Sequence, residues 1–361
     1  MEPNMRTTYS KEDVIFLLRD LQQKAMELTT EEKEQLLQSG IHYSEMLPTE
    51  KPPTPLYNEL FHSLTERYAE KMALYTAIVT EKVLASTDKP VVLVSLARAG
   101  TPIGILMKRY IQFAYGQDVP HYTMSILRGR GIDERALQYM TERHPHHHFQ
   151  FIDGWTGKGA ITEELESAIA HWNARHDVQL EPTLAVLADP GRCATFTATI
   201  DDVLIPSACL NSTVTGLVSR TVWHDDIVEK GDFHGGKFYE DLAPHDVSAD
   251  YIETVSAYFS EALIAQALLH KDETFPRDWY GLASVKEIQQ QFHMKSTLTI
   301  KPGIGETTRV LLRRIPWKVL INPKYEADLT HIEQLAKDRG VPIEIYENMP
   351  YACCGLVKEL D

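Results

Sequence analysis

The sequence predicts an α/β chain built on a mostly parallel sheet with helices on both faces, followed by a smaller α/β unit. Three observations carry this. Between residues 90 and 189, apolar runs of strand length alternate with helical patterns, which gives right-handed βαβ units. The first run, PVVLVSL, is apolar throughout, as a buried strand is. The alternation restarts near Ser284, after the linker-like stretch DETFPRDWYG.

The elements come in this order. Residues 1–54 read as a polar N-terminal helical extension. Ser10-Lys11-Glu12-Asp13 looks like a cap and acidic first turn before VIFLLRDL, and Thr30-Glu31-Glu32-Lys33 opens a second short helix ending at Gly40. The segment PTEKPPTP (48–55) is a proline-rich connector. From Leu56 to about Ala85, Leu60, Leu64, Tyr68, Met72, Tyr75, Val79 and Val83 recur at helical spacing. Strands are expected at 90–96, 119–127, 148–152 and 183–189, with helices at 101–116, around ALQYMTER and from Ile161 onward. DDVLIPSACLNSTVTGLVSRTVW reads as a strand running into a helix start, and residues 250–270 as one amphipathic helix. The boundaries are 1–54, 55–280 and 284–361, the last a unit of helix, strand TLTIKPG, helix GETTRVLLRR, strand WKVLI, helix, strand VPIEIY and a short final helix.

At 361 residues the chain is long enough for two or three domains. Its composition, 43% hydrophobic and 24% charged, is that of a globular protein, and a net charge of −15 excludes general polyanion binding outside a local basic patch. No apolar run spans a bilayer and the four cysteines form no CxxC pair, so a reduced cytoplasm and no membrane partner are expected. Exposed helix faces leave room for a homodimer.

Three loops leave the carboxyl edge of the sheet, where ligands of such folds bind. Phe149–Thr162 runs from a strand through Asp153 and Thr156-Gly157-Lys158-Gly159 into the helical pattern that begins at Ile161, the form of a phosphate cradle. Asp153 is placed to accept sugar hydroxyls or hold a metal-bound water. Ala97, Arg98, Ala99 and Gly100 turn tightly after the first strand, where a guanidinium and adjacent amides suit a diphosphate. Arg128-Gly129-Arg130-Gly131-Ile132-Asp133 reads as a cationic flap. Each loop alone has an ordinary alternative: a βα turn, a surface ion pair, a solvated turn.

Together the loops resemble those of a type I phosphoribosyltransferase. Leu96–Gly100 corresponds to its pyrophosphate loop, Arg128–Asp133 to its hood loop and Ile152–Ala160 to its phosphoribosyl-diphosphate loop. SLARAGTPIG, ILRGRGIDE, FIDGWTGKGAIT and IPSACLNSTVTGLVSRT are similar to the bacterial family of tellurite-resistance and stress operons often labelled cysteine protease StiP. This resemblance spans roughly residues 10–270. It implies an enzyme that binds phosphoribosyl diphosphate with Mg2+ and transfers the phosphoribosyl group. Asp153 would hold ribose hydroxyls and metal, with Arg98, Arg128 and Arg130 stabilising the leaving diphosphate. Ala97, Ala99, Gly100, Gly154, Trp155, Thr156–Gly159 and Ala160 would line the ligand, and Asp189, Cys209, Asn211, Ser212 and Thr213 the acceptor pocket. The family loop has two adjacent acids; here Asp153 stands alone, three positions before Thr156, with Gly154-Trp155 between. The resemblance also leads one to expect a non-proline cis bond in the pyrophosphate loop.

The stretch Lys301–Arg309, with the α/β pattern from VLLRR to VPIEIY after it, resembles the pelota-like RNA-binding domain. That resemblance implies that Gly305, Glu306, Thr307, Thr308 and Arg309 contact structured RNA. Lys301, Arg309, Arg313, Arg314, Lys318 and Lys324 form a basic cluster on an acidic chain, as RNA contact requires; a protein-docking module is the alternative. Two rival functions stay open. One is a Cys-His hydrolase using Cys209 with His234 or His245 as base. The other is a module that senses a phosphorylated metabolite without turnover. HPHHH (144–148), the Cys353-Cys354 pair and His121 carry no complete ligand set.

Overall fold

In the computed structural model, residues 2–22, 27–29, 32, 35–36, 39–224, 228–229, 231–325 and 329–359 are described. Most of the expected second N-terminal helix, Thr30–Gly40, lies outside them. Strand β1 is Ile15–Phe16. Helix α1, Pro55–Ala85, begins where the Thr54 side chain accepts the Tyr57 amide and Pro55 supplies a pre-set φ at the first helical position. Next along the chain are β2 (Val91–Leu96), α2 (Gly100–Tyr115), β3 (His121–Met124), α3 (Glu134–Arg143) and β4 (His148–Ile152). Then come α4 (Ala160–Asn173), β5 (Leu184–Ala188), β6 (Phe196–Thr199), α5 (Ser248–Ser256) and α6 (Glu261–Leu268).

These strands form one parallel six-stranded sheet in the order β1-β3-β2-β4-β5-β6. β2 is buried along its whole length between β3 and β4, which explains its unbroken apolar sequence. One core joins α1, α2, α5 and α6 to one sheet face through residues such as Met72, Val79, Ile103, Tyr110, Tyr251 and Leu263. The second core sets Leu137 and Met140 of α3 and Leu165 and Ile169 of α4 on the other face.

Three local expectations are corrected. The Ser10 cap forms, with the Glu12 amide on its hydroxyl, yet the turn stops after Asp13. Val14, Phe16, Leu17 and Leu18 are all buried, more sides than a single helix stripe can hide, and β1 joins the sheet edge at Tyr122–Thr123 instead. β6 comes from the polar-looking FTAT, ahead of the expected strand, while Pro206–Cys209 and Ser212–Val214 are short 3-10 turns. The single helix expected over 250–270 breaks into α5 and α6, because Ser260 caps a new helix by accepting the Leu263 amide.

The C-terminal unit comprises α7 (Tyr280–Gln291), β7 (Ile300–Pro302), α8 (Ile304–Arg313), β8 (Pro316–Ile321), α9 (Thr330–Asp338), β9 (Ile343–Ile345) and β10 (Cys353–Val357). The sheet order is β7-β10-β8-β9, with β10 antiparallel to both neighbours. β10 replaces the expected final helix: CCGLV is buried at every residue and sits inside the sheet.

The two units are joined through a buried carboxylate. Asp202 accepts the Ile304 amide at 3.0 Å, at the start of α8, and the Ala352 amide at 2.9 Å. Burial lifts its pKa to about 6, against the pull of those amides. Asp202→Ala strands both N–H groups in the seam, a cost of roughly 2–4 kcal/mol at an ordinary penalty per unpaired group. A urea titration followed by tryptophan fluorescence should show that loss; an unchanged midpoint means that docking is independent of the cap.

Candidate functional site

β3 and β4 lie on opposite sides of β2, so the strand order reverses there. The crevice outside such a switch point is where open α/β sheets bind ligands. The loop after β2 and the loop after β4 meet at this crevice. A Cβ on Gly100 would lie 2.2 Å from the Ile152 carbonyl oxygen, so only glycine lets the two chains approach. The Ala97–Arg98 peptide is cis, as the resemblance leads one to expect.

A cavity of about 880 Å3 opens from this crevice toward segment 49–54 and the C-terminal unit, a size in the usual range for small-ligand sites. Among the described lining residues, Lys51, Arg98, Arg220, Lys301, Arg309 and Arg314 face only three carboxylates, Glu50, Asp153 and Glu306. Leu96, Ile126, Leu127, Ile161 and Leu210 supply an apolar wall.

The electrostatics register this excess of cations. Burial, then the field of Arg98, lowers Arg220 to about 10. Just outside the cavity, burial followed by Lys301 and Arg128 lowers Lys158 to about 7. Burial raises Asp153 to about 7, opposed by the Gly154 amide and Arg309. Burial would raise Glu306 too, but Arg309, Lys301 and Lys158 together hold it below the ordinary value. The Arg220 Nε is buried with no hydrogen-bond partner, while its Nη2 donates to the Tyr43 and Met46 carbonyls.

Arg98, Asp153, Asn211 and Thr213 share this cavity with Ala97 and Ala99. Arg98 Nη1 pairs with Glu50 at 2.8 Å and donates to the Val218 carbonyl at 3.0 Å. The Ser212 amide and hydroxyl donate to the other Glu50 oxygen.

Other expected residues are turned elsewhere. The Thr156–Gly159 loop lies under the C-terminal unit: Gly157 meets Pro302, its carbonyl accepts the Tyr351 hydroxyl, and Gly159 abuts Trp279. The Lys158 ammonium donates to the Thr297 and Ile300 carbonyls. Thr156 donates to Asp189, whose carboxylate also takes the Cys193 and Ala194 amides; Asp189 therefore closes its own turn and does not face an acceptor pocket. Ala160 opens α4 outside the cavity lining. Gly154 follows Asp153 under Ala99, and Trp155 forms the platform for Arg309, 4.8 Å from its ring.

The flap is pinned. Both oxygens of Glu164 accept flap amides, from Gly129 and Gly131, and Arg130 engages Glu45 and the Trp223 carbonyl. The Arg128 backbone is held by Tyr43 and His42. Cys209 is buried, its carbonyl accepting the Tyr57 hydroxyl at 2.5 Å. His234 is buried against Trp223, bonded to Ser125 and lowered to about 3.

The five residues expected to meet RNA face inward. Gly305 packs on Trp155 and Ala208, Thr307 and Thr308 are fully buried, and Glu306 and Arg309 line the cavity while pairing with each other. The basic cluster is divided: Lys301, Arg309 and Arg314 face the cavity, whereas Lys318 pairs with Glu344 and Lys324 with Glu347. The Arg313 side chain lies outside the described residues. Glu50 belongs to the site without being marked by any local motif, and Arg220 and Lys301, though they lie in the stretches IPSACLNSTVTGLVSRT and Lys301–Arg309, are not singled out for this cavity by the sequence; three separate segments bring them together.

The fold is an α/β architecture, a parallel six-stranded sheet with helices on both faces, followed by a smaller mixed α/β domain. Residues 7–256 match the family described as tellurite-like stress resistance cysteine protease StiP, and residues 279–359 match the PELOTA RNA binding domain. The chain belongs to the StiP family. A protein of Acinetobacter baylyi named "Cysteine protease StiP" is 32% identical, covering 98% of this chain and 94% of that protein. An HGPRT-ase from Leishmania tarentolae in complex with GMP is similar at 19% identity over 38% of this chain and 74% of its own, with a TM-score of 0.25. A hypoxanthine phosphoribosyltransferase from Trypanosoma cruzi in complex with IMP reaches 15% over 50% and 93%, with a TM-score of 0.26. Overlaps this weak carry no functional argument. The expectation of a pentosyl-transferring enzyme is overturned, because the name of the full-length relative points to a peptidase.

The Asp153 shift has a direction that can be checked. Below about pH 4 its carboxyl is protonated in both folded and unfolded chains, so Asp153→Asn leaves stability unchanged. Above about 7 the native carboxylate carries the full burial cost, which Asn removes. The variant should gain stability as pH rises between these limits, by on the order of a few kcal/mol at pH 8. A variant less stable than its parent at pH 8 would mean that Arg309 holds the carboxylate more strongly than burial opposes it.

Proposed function

We propose that the chain binds a phosphorylated ribose, of which phosphoribosyl diphosphate is the test case, in the cavity between its two domains, and does so without transferring the pentose. The observation that carries this is the excess of cations over carboxylates on the lining, five of the six at least half-buried, with Arg220 lowered by burial and then by the field of Arg98. A polyanion relieves that repulsion, and guanidinium forks match phosphate oxygens. Asp153 and Glu306 are suited to accept sugar hydroxyls beside them.

Mg2+ belongs to the proposal only as an ion held mainly by the ligand's phosphates, with Asp153 the protein carboxylate nearest in role. Among the described residues no three His, Cys, Asp or Glu side chains stand together as a ligand set, and Mg2+ commonly takes one or two carboxylates plus phosphates and water. When bound it would neutralise phosphate charge.

Calorimetric titration with phosphoribosyl diphosphate, with and without Mg2+, tests the reading. The parent protein should bind, and Arg98→Ala or Arg309→Ala should each weaken binding about 10- to 100-fold, the worth of a charge-assisted hydrogen bond. No heat of binding in the parent, or an affinity in both variants unchanged from the parent's, removes it.

The name of the Acinetobacter relative supports a second reading, cleavage of peptide bonds with Cys209 as nucleophile. Leu210 and Asn211, which follow Cys209, line the same cavity. On this reading, purified protein degrades labelled casein and Cys209→Ser abolishes it. Absence of cleavage, together with a Cys209 inert to iodoacetamide in the folded protein, ends this reading. The family name of the C-terminal domain supports RNA as a further partner, reached only where residues 305–309 separate from the first domain or by another face.

A further inference from the structure

We infer that Glu50 is an internal stand-in for a ligand's anionic group: it occupies an anion seat made by Arg98, Ser212 and Arg220, and an incoming phosphate or diphosphate must displace it. The inference rests on reading the cavity as an anion site.

The seat is built of buried and partly buried donors from separate parts of the chain. One Glu50 oxygen lies 2.8 Å from Arg98 Nη1, in the loop after β2. The other accepts both the Ser212 amide, at 3.1 Å, and the Ser212 hydroxyl, at 2.5 Å. A carboxylate taking a guanidinium, an amide and a hydroxyl has the donor set that proteins offer to a phosphate oxygen. The Glu50 side chain is only 5% exposed, so the pairing is largely screened from water. Arg220 adds positive charge at the same place: it feels both Arg98 and Glu50, and its buried Nε has no partner, a donor that a second anionic oxygen would satisfy.

Glu50 also sits where it can leave. It belongs to the segment between the Thr49 amide, which donates to the Leu28 carbonyl, and Thr54, which caps α1. Lys51 and Pro52 between those anchors are exposed. A change of side-chain rotamer moves the carboxylate out of the seat while both anchors stay closed. A single carboxylate carries less charge than a diphosphate, so the exchange favours the ligand once it is present, and Glu50 keeps the free site from holding two uncompensated arginines.

Inorganic pyrophosphate is the probe, titrated calorimetrically into the full chain and into Glu50→Ala and Glu50→Gln. Without its competitor the seat should bind pyrophosphate at least about tenfold more tightly in both variants than in the parent. Arg98→Ala added to either should abolish the gain. In thermal melts, each variant alone should be less stable than the parent, and pyrophosphate should raise its melting temperature more than it raises the parent's. Equal affinity in parent and variants overturns the stand-in while leaving the cavity an anion site; binding by none of the proteins overturns both. A variant destabilised but unrescued by pyrophosphate would make Glu50 a structural ion pair, and the inference fails.

Discussion

Everything at the crevice depends on the contact between the Asp202 carboxylate and the start of α8. A helix end carries unpaired amides and a partial positive charge, and Asp202 meets it by accepting the Ile304 amide, while its other oxygen accepts the Ala352 amide ahead of β10 in the same seam. That pairing sets Gly305 on Trp155 and lays the Arg309 guanidinium over the Trp155 ring. The cavity therefore has two owners. Its floor and one set of arginines come from the sheet edge, and its roof, with Lys301, Glu306, Arg309 and Arg314, comes from the C-terminal domain.

This shared ownership explains how an acidic chain, with net charge −15, holds a strongly cationic chamber. The cations that looked in sequence like one open basic face are sorted by docking. Lys301 before α8, Arg309 on it and Arg314 at its C-terminal cap are directed into the chamber, and Lys318 and Lys324 are neutralised by Glu344 and Glu347 outside it. Enclosure strengthens each charge because little water remains to screen it. The lowered value of Arg220 follows from that enclosure and from Arg98 beside it, and Lys158, buried just outside the chamber, is lowered further by Lys301.

Much of the first domain was legible because its strands are apolar runs and its loops follow them directly. β2, β4 and β5 came from such runs, and with them the meeting of Arg98 and Asp153 at one edge. β6 was not legible, since FTAT takes its strand character from pairing with β5. Segment 14–20 misled because its apolar residues are buried on several sides, which breaks helical periodicity as a guide. The largest miss was the fate of Thr156–Gly159. Its pattern is that of a phosphate loop, yet nothing local encodes that Trp279, Pro302 and Tyr351, far along the chain, will cover it.

The departure from the two-acid loop fits this arrangement. Trp155, which stands between Asp153 and Thr156, faces Gly305 and Arg309 across a buried seam, where it gives α8 a flat apolar surface and gives Arg309 a ring to lie on. The negative charge absent from the loop is present nearby from the other domain. Glu306 is close enough to Asp153 to raise it further, and the two carboxylates share Arg309. The acidic pair and the cationic seat are thus joint products of docking, so a ligand held by both would touch both domains at once. Its binding energy would then add to the seam's own, and the chamber would be most closed when filled.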